Sequence, residues 1–266
     1  MSLLVKARRI GREIVEVTPE RAGWRHVGFR ATRLHAREEE RASTGERELC
    51  LVVLSGTVDV EVGAPDAQRF DGLGRRDSVF DDIAPAAVYV PPRREVTVRA
   101  TRDAELAWCT APSTGRHGVR QLDPATMTRT VRGMGSNTRY VRDVLPQTEP
   151  ADHLLVVEVV TPAGHSSSYP PHKHDRDAAP EETLLEETYY HRLHPPQGFA
   201  FQRVYTDDRS LDESMAVEDH DVVMVPRGYH PCVAPHGYDL YYLNVMAGPG
   251  RTWIFKNDPV HEWMLR

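Results

Sequence analysis

The chain divides its apolar residues into short runs, and this limits its fold more than any other property. The runs are "ELCLVVLSGTVDVEV" at 48–62, "AAVYVPP" at 86–92, "EVTVRA" at 95–100, "HLLVVEVVTP" at 153–162, "ETYYHRL" at 187–193, "GFAFQRVY" at 198–205, "DVVMVP" at 221–226 and "YDLYYLNVMAG" at 238–248. They are rich in Val, Leu and Tyr, mostly of strand length, and flanked by Gly, Pro, Asp or Asn. Alternation is plain in "TVDVEV" and "FAFQRVY", and no long 3.6-residue period is present. An all-β sandwich or barrel follows.

The plan occurs twice. In the first half "ELCLVVLSG" ends at Gly56 and "VYVPPRRE" follows; in the second "ETYYHRLHPPQG" ends at Gly198 and "VMVPRGYH" follows. Aligning "VP" with "VP" sets Glu95 against His230. The turn-rich "TAPSTGR" at 110–116 divides the chain into 1–115 and 116–266.

Several function classes are disfavoured at once. A net charge of -6 with no Lys/Arg block argues against nucleic acid and against anionic membrane. No run of about 18 apolar residues exists to span a bilayer. "SLLV" in the opening segment is too short for a signal-peptide core. Cys50, Cys109 and Cys232 are odd in number and far apart, as expected of reduced thiols in a cytoplasmic protein.

The stretch with chemical content is "SSYPPHKHD" at 167–175. On a strand, His172 and His174 share one face and Lys173 takes the other. Two imidazoles on one face can chelate one divalent ion. Two histidines in a chain of thirteen can equally be core or surface residues. The acidic "EETLLEETYYHR" and then His230 after "VPRGY" complete a set of three nitrogens and one oxygen, which suits Zn, Mn, Fe or Ni.

HxH, Glu, Gly, then "VP-x-G-x-H" resembles the paired motifs of the cupin superfamily, and two such halves make a bicupin. Residues 167–263 resemble the 5-deoxy-glucuronate isomerase family of bacterial myo-inositol catabolism. The matching stretches are "SSYPPHKHD", "EETYYHR", "GFAFQRVYTDDRSLDESMAV", "DVVMVPRGYHP", "GYDLYYLNVMAGP" and "NDPVHEW". The resemblance implies two tandem cupin-type antiparallel β-barrels. It implies an aldose–ketose isomerase acting on a small sugar acid, with one divalent metal, Zn or Mn ahead of Fe or Ni. His172, His174, Glu187 and His230 match the metal ligands. Glu181, Glu182 and Glu186 are rivals for the carboxylate, because twelve residues separate His174 from Glu187. Glu187 is preferred because it begins a strand and shares a face with Tyr189.

Tyr189 and Tyr242 are the candidates for proton handling, and Gln202, Asn244 and Arg227 for substrate contacts. Arg227 is taken for the substrate carboxylate ahead of Arg203 and Lys173. The first half lacks the ligand set. Aligning Glu48 with Glu187 gives a barrel without metal, in which Glu48 and Glu95 form salt bridges or lie exposed. His26 and His35 are read as surface residues. "DDRSLDES" at 207–214 is read as a solvated loop. Trp253, Phe255 and Trp263 pack the tail onto a barrel or onto a neighbour in a homo-oligomer. A metal-dependent dioxygenase and a non-catalytic sugar-binding bicupin are the competing readings.

Overall fold

Strand Arg47–Ser55 explains why its apolar run does not alternate. Its sequence RELCLVVLS is buried along nearly its whole length. Leu49, Leu51 and Val53 enter one core, whereas Cys50, Val52 and Leu54 enter another. A strand covered on both faces has no solvent side to mark with polar residues. Strand Phe199–Tyr205 is covered on one face only and does alternate.

These observations come from a computed structural model that describes residues 2–8, 10–65 and 67–265. In the first half, a six-stranded sheet has the order Arg120–Leu122, Ala86–Val90, Arg47–Ser55, Ala104–Pro112, Gly28–Leu34, Glu13–Val17. A four-stranded sheet, Glu39–Ser43, Glu95–Ala100, Val58–Val62, Gln68–Leu73, packs on its inner face. In the second half, Val222–Val225, Glu186–His194, Asp239–Ala247, Leu155–Thr161 and Arg139–Leu145 repeat the arrangement, with Leu4–Val5 and Arg129–Arg132 at the edges. Its facing sheet is Ser166–Ser167, Cys232–Val233, Phe199–Tyr205, Asp212–Glu218. The end of "DDRSLDES" is therefore strand, not loop. The two large sheets pack back to back through Val52, Tyr89 and Cys109 on one side and Val156, Tyr190 and Leu243 on the other. The expected all-β fold of two tandem cupin-type units is the observed one.

Two segments pair across the expected division near 110–116. Leu4 and Val5 pair with Val223 and Val222, and Arg120–Leu122 pairs with Tyr89, Val88 and Ala87.

Buried carboxylates join the halves. Glu48 accepts the backbone N–H groups of Asp152, His153 and Leu154 at 2.7–2.8 Å, and the Tyr89 hydroxyl. Glu186 accepts those of Arg25, His26 and Val27 from the other side. The registers make them counterparts: Glu48 lies opposite Ala111 and Glu186 opposite Ala247. Leu49, opposite Val90, occupies the place of Glu187, opposite Val225. This corrects the expected match of Glu48 with Glu187, because a shift of one residue sends a side chain to the other face. It also corrects the expected salt bridge or exposure of Glu48, since three backbone donors satisfy a buried carboxylate without a cation. Glu95 is exposed as expected. His35 is exposed too, whereas His26 is half-buried at the junction, its ring 6.1 Å from that of His153.

Two ionic clusters cross the same junction. Arg76 and Arg142 both donate to Glu158, which also accepts from the Tyr241 hydroxyl. Glu105 accepts from Arg192 and Tyr190 and lies 3.2 Å from His220. Burial alone would raise the Glu105 pKa, but Arg192, His220 and Tyr190 bring it down to about 2. Its stabilisation is therefore full above the unfolded-state value and is lost as pH falls toward 2. Glu105→Gln should cost about 3 kcal/mol at pH 6, at about 1.4 kcal/mol per pKa unit. The gap in thermal stability from wild type should close between roughly pH 5 and pH 2. A gap that does not vary with pH would refute this assignment. The raised His220 works oppositely: its contribution is full below its ordinary pKa and fades as pH rises through the folded value. No helix among the described residues is long and apolar enough to cross a membrane.

Candidate metal centre

The "HKH" stretch forms a two-residue strand, His172–Lys173, paired with Lys256–Asn257. Lys173 turns away from the histidines, as alternation requires. It is buried, with Nζ 2.8 Å from Asp207 and 3.2 Å from Asp175. Glu187 enters from strand Glu186–His194. The neighbouring strand Val222–Val225 then turns through Gly228 and delivers His230. Gly228 has φ +88°, and a Cβ there would run into the Tyr205 carbonyl, so the bend requires glycine.

The side chains converge. The nearest ligating nitrogens of His172, His174 and His230 lie within 4.8 Å of one another. Glu187 Oε2 is 3.1 Å from His174 Nε2 and 3.2 Å from His230 Nε2. His174 Nδ1 donates to the Leu185 carbonyl and His230 Nδ1 to the Gly228 carbonyl. Both of these rings are thereby fixed with Nε2 turned inward, toward Glu187. His230 Nε2 is buried and has no hydrogen-bond partner.

Electrostatics agree with the geometry. Burial, with His230 and His174 nearby, holds the His172 pKa well below the usual imidazole range. Burial brings His230 to about 4. Both rings are neutral at pH 7, with lone pairs available. For His174 burial opposes charge, but the Glu187 hydrogen bond and charge raise its pKa on balance. Three converging imidazoles, one with an orphaned buried nitrogen, and one carboxylate fit a divalent transition metal. The other carboxylates are engaged elsewhere or lie apart. Glu181 is exposed, Glu182 accepts the N–H groups of Asp175 and Arg176, and Glu186 faces the other half.

A cavity of about 220 Å³ adjoins His172 and is lined by Tyr189, Tyr242 and Asn244. The Tyr242 hydroxyl is 2.6 Å from Ser167 Oγ and that of Tyr189 is 3.2 Å from Ser168 Oγ. Asn244 Nδ2 is buried without a partner. Gln202 and Arg227 do not line this cavity. Gln202 spends its amide on His191 Nε2 and on the His230 carbonyl, behind the converging histidines. Arg227 projects from the exposed side of the Gly228 turn, 3.5 Å from Ser210 Oγ. Arg203 pairs with Asp212 at the surface.

Comparison with known proteins matches residues 3–264 to the KduI/IolB family. The chain belongs to the KduI/IolB family. Relatives named 5-deoxy-glucuronate isomerase include that of Geobacillus thermodenitrificans, 50% identical over 95% of this chain and 91% of the relative. That of Bacillus subtilis strain 168 is 45% identical over 94% of this chain and 92% of its own length. The crystal structure of an IolB-like protein from Salmonella typhimurium covers both chains fully, with a TM-score of 0.97 and 47% identity. Oxalate decarboxylase of Lactobacillus farciminis shares the fold, with a TM-score of 0.66 at 11% identity, over 97% of this chain and 88% of its own.

In this KduI/IolB protein the cavity also contains side chains that sequence reasoning did not select. Arg132 and Arg139 line it from the hairpin Arg129–Arg132 and Arg139–Leu145. Trp253 and Phe255, expected merely to pack the tail, line it too, and the Phe255 ring is 4.7 Å from that of His172. Trp263 stays largely exposed. The available signal for the arginines was "RGMGSNTR", in which a tight turn brings two like charges opposite each other.

Proposed function

We propose that this KduI/IolB protein is a 5-deoxy-glucuronate isomerase that converts 5-deoxy-D-glucuronate to 5-dehydro-2-deoxy-D-gluconate with one divalent metal. The observation that carries the reading is 50% identity to a named isomerase over 95% of the chain. The site supplies the means.

His172, His174, Glu187 and His230 would hold the ion, Zn or Mn ahead of Fe or Ni. A bound ion supplies Lewis acidity toward the carbonyl and the neighbouring hydroxyl oxygen of the substrate. The reaction moves a proton from C2 to C1 with no net redox change. Burial raises the pKa of Tyr189 and of Tyr242, so both phenols stay protonated. They act as hydrogen-bond donors to substrate oxygens as charge develops there, and through Ser168 and Ser167 they stay aimed. The unpartnered Asn244 amide donates to a substrate hydroxyl. Gln202 positions His230 through its carbonyl. The three free, buried cysteines accord with a cytoplasmic site of action. Exposed Val260, Trp263 and Leu265 support a homo-oligomer.

The test is turnover of 5-deoxy-glucuronate by purified protein, before and after chelation and with Zn, Mn, Fe or Ni restored. Activity lost on chelation and regained with one ion supports the reading and names the metal. Folded protein with no turnover under any ion defeats it.

A further inference from the structure

Arg132 and Arg139 are direct cross-strand partners in their hairpin. Like charges placed opposite each other repel and destabilise a strand pair. Neither guanidinium makes an ion pair among the described residues. Arg139 Nη1 instead rests 3.2 Å from both the carbonyl and the side-chain oxygen of Asn137. Arg132 lies 6.0 Å from the centre of the Trp253 ring. Two cations are thus held together at one cavity with no anion among the described residues paired to them.

The hairpin is built to keep them there. Gly133 has φ +78°, and a Cβ on it would come within 2.9 Å of Arg139 Nη1. Asn137 Nδ2 donates to the Tyr169 carbonyl at 3.0 Å, three residues before His172. That bond ties the arginine hairpin to the segment that carries the imidazoles. Both arginines and His172 line the same cavity.

We propose that Arg132 and Arg139 together bind the carboxylate of the sugar acid, leaving its carbonyl end at the imidazoles. The inference rests on the sugar-acid reading given under Proposed function and adds the residues that select for the acid. Guanidinium groups present forked donors to a carboxylate, which then offsets the repulsion within the pair. The two ends of the substrate are set by two elements, the hairpin and the "HKH" strand, joined through Asn137. The arginines are positioning and specificity residues, and none of the proton transfer falls to them.

The experiment compares two substrates on the metal-loaded protein: 5-deoxy-glucuronate and the neutral aldose with CH2OH in place of its carboxylate. Wild type should favour the acid. In the double variant Arg132→Gln, Arg139→Gln that preference should fall about 100-fold, expressed in KM more than in kcat, since hydrogen bonds to charged groups contribute about 1.5–3 kcal/mol each. Arg139→Lys retains the charge but not the fork and should lose about tenfold. Equal losses on both substrates at unaltered metal content would mean a structural role and overturn the proposal. So would an undiminished preference for the acid. If wild type turns over neither substrate, the isomerase reading fails independently, and calorimetric binding of D-glucuronate decides the clamp. Affinity lost in the double variant sustains it, and affinity retained overturns it.

Discussion

Replacing His172 and His174 together by alanine is expected to lower isomerase turnover at least about 1,000-fold, because a Lewis acid contributes several kcal/mol and each 1.4 kcal/mol is tenfold in rate. Metal content should fall in parallel, measured by elemental analysis of dialysed protein. The fold should survive. The strand His172–Lys173 is two residues long, and its backbone pairing with Lys256–Asn257 does not depend on the imidazoles. Glu187→Gln should give an intermediate result, since the amide keeps the shape and one oxygen but removes the charge facing His174 and His230. Normal turnover by a metal-free double variant would remove the metal from the mechanism. The comparison is informative because Glu186, one residue away, is also buried and yet serves only the junction between the halves.

The second large effect is on stability. Glu158→Ala is expected to cost about 3–5 kcal/mol, the usual penalty for removing one partner of a buried ion pair. Arg76 is 1% exposed, and its Nη1 donates to both oxygens of Glu158. Arg142 and the Tyr241 hydroxyl converge on the same carboxylate. Removing the acid leaves Arg76 buried without a counter-ion, whereas Arg142 keeps Asp82 at 2.9 Å. Thermal melting should shift down by roughly 10 °C for a chain of this size. Replacing Arg76 and Glu158 together by apolar residues should recover part of the loss, since the stranded charge is then absent. A single-variant shift within about 2 °C of wild type would show that the triad is solvated rather than sealed.

Much of the fold was legible because burial on one or two faces writes directly into residue pattern. "FAFQRVY" declares one covered face; "ELCLVVL" declares two. The convergence of His172, His174, Glu187 and His230 was legible for a related reason. His172 and His174 are neighbours in sequence, and Glu187 and His230 lie at the ends of adjacent strands. The match of Glu48 failed because "VP" alignment does not resolve a one-residue shift within a strand, and that shift decides which core a side chain enters. Gln202 and Arg227 were selected for their chemistry, but position decided otherwise. Gln202 has its amide oxygen bonded to His191 and its nitrogen to the His230 carbonyl, and Arg227 leaves a turn on its solvent side. Arg132 and Arg139 escaped notice because arginine is ordinarily a surface residue, and only the cross-strand register reveals them as a pair.

The exchange of edge segments between halves has a consequence for synthesis. Among the described residues, Leu4 and Val5 find strand partners only at Val223 and Val222. At about 5–20 residues per second, the ribosome needs roughly 10–40 s to make the intervening chain. Through that interval the first half can assemble its own strands, yet its leading segment has no strand to pair with. The same interval leaves the Glu48 side chain without Asp152, His153 and Leu154 until the chain has passed the midpoint. Until then the first half offers Glu48 only the Tyr89 hydroxyl, and its leading strand is unpaired. The gaps close in turn, the acid's with residues 152–154 and the leading strand's with Val222 and Val223, so the first strand of the chain is among the last to be paired.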